Sequence, residues 1–139
     1  MNYALIDKDS VRTFEASANH VEEYVPAQEL NRIWHTNHPM VNQNYCREIQ
    51  MWDRLTDLES ANTHSRMDYL QREMSMADKP FTVTRAKELL ASREVPVSSQ
   101  AEDDFPTING LLMEFSKQPT LYFAPGPPSQ HDFVPFQFD

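Results

Sequence analysis

The sequence predicts an α+β protein, and three features of its pattern carry that expectation. Short apolar runs separated by turn residues fill roughly the first forty positions, helical spacing takes over between about 45 and 91, and short apolar runs return after about 107. Strands, then helices, then strands describe helices on one face of an antiparallel sheet rather than an alternating parallel one. A chain of 139 residues, 40% hydrophobic and 11% aromatic, is long and apolar enough for one domain, or part of one, with a modest core.

Taken in order, Tyr3-Ala-Leu-Ile-Asp7 is a short apolar run, and Lys8-Asp9-Ser10 supplies the polar turn after it. Val11 to Ala16 alternates loosely. After the break Ser17-Ala-Asn19, His20 to Val25 forms a third piece that Pro26 closes. Leu30 to Asn37 makes a fourth: Ile33, Trp34 and Thr36 favour a pleated strand. Pro39 lacks an N–H and holds His38 extended, so this strand should end there. Four short strands over about 2–37 predict an antiparallel meander.

The period then changes. Tyr45, Ile49, Trp52 and Leu55 recur at three- and four-residue steps, which predicts a helix over 45–58. Asn62 or Thr63 is placed to cap the next helix, whose Met67, Leu70, Met74 and Ala77 form one apolar stripe. Thr82 or Thr84 caps a third, with Ala86, Leu89 and Leu90 inward. Residues 92–105 read as a polar loop with the acidic run Glu102-Asp103-Asp104. Ile108 to Phe115, Thr120 to Ala124 and Phe133 to Phe138 are expected strands, the last two joined across the rigid turn Pro125-Gly-Pro-Pro128.

Charge and composition exclude several classes. A net charge of −9 with no cluster of Lys and Arg argues against nucleic-acid binding. One cysteine rules out an internal disulfide and gives no zinc framework. No apolar run approaches the roughly 18 residues a membrane span needs. The start MNYALIDKDS lacks the basic and apolar stretches of a secretory signal, so a cytoplasmic location is favoured, with an upstream signal left open.

The candidate functional residues are few. Asn37 stands where the fourth strand stops, at the rim of a sheet; by itself it reads first as a strand-end turn former. Arg66, in the first turn of the expected second helix, is by itself a surface salt-bridge partner. Cys46 has Arg47 beside it, which could lower its pKa, yet it shares a helix with Tyr45 and Ile49 and reads as an inert, partly buried thiol. His35 and His38, three apart on an extended segment, should point to opposite faces, and with His20, His64 and His131 they match no zinc spacing. Met67, Met74 and Met76 read as helix packing, and the acidic run as a solvated loop without enough oxygen ligands for calcium.

Four pieces, in order, resemble one family. NYALIDKD with a following strand carrying Glu15, the run HTNHPMVNQNY, Ser65-Arg66-Met67 opening a helix, and the ending INGLLMEF…PTLYFAPGPPSQHDFVPFQF are similar to the choloylglycine hydrolase and isopenicillin-N acyltransferase group of N-terminal-nucleophile (Ntn) cysteine amidases. The resemblance covers most of the chain. Met67 departs mildly from it, standing where that group often has Tyr or Phe. It implies a four-layer αββα sandwich, of which this chain would form part. It also implies hydrolysis of linear non-peptide amides, or acyl transfer from them, by an N-terminal cysteine whose free amine is the base. Asn37 would then help form the oxyanion hole and Arg66 would be an active-site charge.

Residue 1 is Met and Asn2 is no nucleophile. The expectation is therefore a C-terminal portion, cut or encoded separately, inactive alone, whose partner is the missing N-terminal half and whose substrate is a small amide. No cofactor and no metal are expected. Two rivals stand beside it: a binding module that kept the fold without the chemistry, and one subunit of a two-chain amidase. In each case exposed strand edges predict a homodimer.

Overall fold

Alternation along Val11–Ala16 organises the first part of the chain. In the computed structural model, which describes residues 2–6, 9–26, 28–42, 57–95, 97–99 and 106–138, this segment is the central strand of an antiparallel sheet. Strand β1 is Asn2–Ile6, β2 is Val11–Ala16 and β3 is Val21–Tyr24. Asn2 pairs with Glu15 and Tyr3 with Phe14, while Glu15 also pairs with Glu22 and Thr13 with Tyr24. Because successive side chains alternate, Asn2, Thr13, Glu15 and Tyr24 share one face, and on it Thr13, Glu15 and Tyr24 are buried. The opposite face holds Tyr3, Leu5, Arg12, Phe14 and Glu23. There Arg12 makes a two-pronged pair with Glu23 (2.7 and 2.6 Å) and lies 5.0 Å over the Phe14 ring.

The chain divides into two compact units, Met1–Asp78 and Lys79–Asp139. In the first, a single 3-10 turn at Gln28–Leu30 follows β3, and Asn31 then takes φ 48°, a left-handed conformation that Asn tolerates better than most residues. This corrects the expected fourth strand over Leu30 to Asn37: the sheet has three strands, and Arg32 makes only an isolated bridge. The left-handed residue breaks the extended path, and side chains take over the segment's backbone contacts. The Asn2 amide, for example, donates to the carbonyl of Thr36 at 2.9 Å.

Helix α1, Asp57–Met74, completes this unit. It runs through Asn62 and Thr63 without interruption, so neither residue is the cap that spacing suggested. The expected helix over 45–58 lies almost wholly outside the described residues, as do Cys46 and the run Glu102-Asp103-Asp104. Thr63, Met67, Tyr69 and Met74 are buried. Arg32 closes the helix end by donating from Nη1 to the carbonyl of Met74 (3.1 Å), one of the C-terminal acceptors that a helix leaves open, and to that of Met76 (2.9 Å) just beyond it.

In the second unit, α2 is Val83–Leu90, capped as expected by Thr82, whose hydroxyl accepts from the Arg85 N–H at 3.1 Å. Ala86 and Leu89 are buried. Strands β4 (Gly110–Glu114), β5 (Thr120–Ala124) and β6 (Val134–Gln137) form a second three-stranded antiparallel sheet in chain order. Lys87 of α2 reaches the Tyr122 ring at 4.0 Å, which fixes the helix against β5. The Ser98 hydroxyl, buried, accepts from the Ser129 N–H at 3.0 Å and ties the connecting segment to the proline-rich turn.

Two glycines test how tightly that turn is packed. A Cβ at Gly110 would lie 2.5 Å from the Pro128 ring, which has no rotamer to swing away. At Gly126 it would meet the His131 ring at 2.4 Å, but that side chain is exposed and can rotate. Gly110→Ala is therefore expected to cost about 1–3 kcal/mol, as overpacking does, and Gly126→Ala clearly less. Urea unfolding of the two variants, followed through the backbone N–H NMR signals of the second unit, checks the order.

Candidate functional site

A heavily bonded side chain of the first unit is an acid that sequence reading had noted only as part of a motif. Glu15 is fully buried, at 0% exposure. Its Oε1 accepts from His35 Nε2 at 2.7 Å and from the Met40 N–H; its Oε2 accepts from the Val41 N–H at 2.9 Å and the Asn42 N–H at 2.7 Å. Four donors fill the acceptor capacity of an ionised carboxylate. Burial alone would push its pKa up, but the Asn42, His35, Met40 and Val41 bonds outweigh that and hold it below the usual carboxylate value. The Asn42 side chain closes the arrangement, donating to the carbonyls of Glu15 (3.0 Å) and His20 (3.1 Å).

His35 is fixed on both sides. With Nε2 donating to Glu15, its Nδ1 faces the Asn2 amide nitrogen at 3.0 Å and also the Thr36 carbonyl. A neutral ring accepts there from Asn2; a protonated ring donates to Thr36. Tyr24 packs edge-on against the imidazole, with ring centres 5.3 Å apart.

The chain then bends at Asn37-His38 instead of running on extended. The two histidines do not follow one strand's alternation: His35 meets Glu15 of β2, whereas His38 meets Thr63 and His64 of α1. His38 turns back, its Nδ1 at 3.0 Å from the Thr36 hydroxyl and 3.1 Å from that of Thr63. It also stacks on His64, with ring centres 4.2 Å apart. Burial, then the charges of His64 and His35, push the His38 pKa down.

Both residues singled out in the sequence reach this region. Asn37 donates its backbone N–H to the Thr63 hydroxyl at 3.1 Å, while its side chain is exposed and makes no hydrogen bond among the described residues. Arg66 lies three residues after Thr63, about one turn along α1 and close enough for its charge to depress His38. It is half-buried, its Nε has no hydrogen-bond partner among the described residues, and burial lowers its own pKa. Arg66 thus lies one turn along α1 from the Thr63 that holds the bend, with its charge within reach of His38.

Sequence reading missed the support: Glu15, His35, Asn2, Thr63 and Asn42. One signal was available, because alternation puts Glu15 on the same face as Thr13, opposite Arg12 and Phe14. An acid on an inward face needs partners. Among the described residues no three His, Cys, Asp or Glu side chains are grouped as around a metal ion, and no helix is long and apolar enough to cross a membrane. Comparison with protein-family models, curated proteins and solved structures returns no match for this chain.

Proposed function

We propose that this chain is the C-terminal, oxyanion-stabilising portion of an Ntn cysteine amidase, with the nucleophile on a segment outside these 139 residues. One observation carries the reading: the Asn37 amide is presented free on a bend whose backbone is hydrogen-bonded to α1, with the unpaired Nε of Arg66 one turn further on. An oxyanion donor must be placed before the charge it meets develops, and the backbone that carries the Asn37 amide is hydrogen-bonded to α1.

The chemistry follows from the groups. A thiolate attacks the carbonyl carbon of a linear amide, and the carbonyl π pair moves onto oxygen. The Asn37 NH₂ donates to that oxygen, and the Arg66 guanidinium, always charged, favours the anionic nucleophile and the anionic intermediate. The C–N bond breaks, the amine leaves with a proton, and a thioester remains. Water then releases a carboxylic acid, or an acceptor amine takes the acyl group.

The second unit supports the sandwich part of the reading. Leu111, Met113, Val134 and Phe136 are all exposed, and the register puts them on one face of the β4–β5–β6 sheet, together with Leu121 and Phe123. A continuous apolar sheet face is what the inner layers of an αββα sandwich require. The test is an amide-hydrolysis assay on the product of the complete reading frame, scored as equal release of acid and amine. Turnover supports the proposal. Absence of turnover across bile-salt, penicillin and acylated-amine substrates counts against it.

A further inference from the structure

We propose that Glu15 is a positioning residue for Asn37, acting from both sides of the bend at once. This rests on the oxyanion role argued above for Asn37, but the structural coupling is testable without it. One oxygen of Glu15 holds His35, two residues before Asn37, and the same carboxylate holds the N–H groups of Met40, Val41 and Asn42, three to five residues after it. Asn37 is therefore the crest of a loop whose two feet rest on one buried side chain of β2. Its own N–H is bound to Thr63 of α1, so the loop is fixed at three points and only the amide side chain is left free.

The chemistry at position 15 is restrictive. A glutamine there would place an NH₂ among donors, leaving at least two of the four without an acceptor. An aspartate, one methylene shorter, could not reach both feet of the loop. The charge is part of the function too, because hydrogen bonds to an ionised acceptor are roughly twice as strong as neutral ones. Other titratable or charged groups around the loop include Glu22, paired with Glu15 across the sheet, and Tyr24 from β3, His35 and His38 on the loop itself, and His64 and Arg66 from α1.

The experiment is a pH titration of the ¹⁵N-labelled full chain from about pH 7 to pH 3, a range chosen to cross the ordinary carboxylate pKa. It reads the backbone N–H signals of Met40, Val41 and Asn42 and that of Asn37, which is bound to Thr63. The expected result is one shared inflection in all four residues, below the ordinary carboxylate range. In Glu15→Gln that inflection should vanish and the Asn37 backbone N–H signal, held by Thr63 in the wild type, should move to its unfolded-peptide position, while the backbone N–H signals of Lys87 and Tyr122 in the second unit stay put. Asn37 signals that keep their wild-type positions in Glu15→Gln, or that show no share of the inflection in the wild type, overturn the proposal. If Glu15→Gln fails to fold in the first unit, the wild-type titration decides alone.

In a complete enzyme, Glu15→Gln should lower kcat roughly a hundredfold, the usual effect of misplacing a reacting group by about an ångström, with KM little changed. If Asn37→Ala there leaves turnover intact, the amidase reading fails. The coupling measured by NMR still stands or falls by itself.

Discussion

Replacing Glu15 by alanine should destabilise the first unit by about 3–5 kcal/mol, the range found when one partner of a buried ionic arrangement is removed. The loss has identifiable parts. Three backbone N–H groups and the His35 ring lose their acceptor in a place where water does not reach the residue, and each orphaned donor costs about 1–3 kcal/mol. Small domains have only about 5–15 kcal/mol in hand, so a large share of the fold's margin would go. Urea unfolding followed by Trp34 fluorescence reads it, since Trp34 is buried in the same unit.

The same carboxylate sets an acid limit. Its folded pKa lies below its ordinary value of 4.5, so the stabilisation is complete above that pH and is lost as pH falls through the lower folded value. His38 acts in the same direction at higher pH. Its folded pKa lies below 6.5, so the unfolded chain takes up the proton more readily, and stability begins to fall as pH drops below 6.5. Wild-type protein should therefore weaken in two stages on acidification. Glu15→Ala should lack the second stage and keep the first.

Asn37→Ala should lower kcat of the complete amidase by about a hundred- to a thousandfold, the usual effect of deleting one oxyanion donor. Its effect on stability should be small, because the side chain is exposed and unbonded and the backbone N–H to Thr63 survives the change. A drop in kcat with unfolding free energy unchanged separates this residue from Glu15, where both should fall.

How much of this was legible in the sequence differs by kind of residue. β2 and β5 were read with their observed bounds, because alternation and flanking turn residues report local geometry directly. Thr82 was read as a cap for the same reason. The failures all involve residues whose partners are distant in the chain. Leu30 to Asn37 has strand propensity, yet a left-handed Asn31 and partners such as Asn2 and Met74, more than thirty positions away, decide its path. Thr63 looked like a cap because its hydroxyl suits one; it is instead an acceptor for Asn37, 26 residues away. Asn37 and Arg66 were named through a motif, whereas Glu15, which binds the loop together, could have been found only by asking what an acid does on an inward face.

The most direct test of the amidase account is the N-terminus of the natural gene product. The genomic reading frame, with any codons upstream of Asn2, would be expressed and its product weighed intact, before and after incubation with an acyl-transferring amide. The account predicts a mature chain that begins with cysteine and gains one acyl group. A product that keeps Met1 at its N-terminus and gains no acyl mass contradicts it.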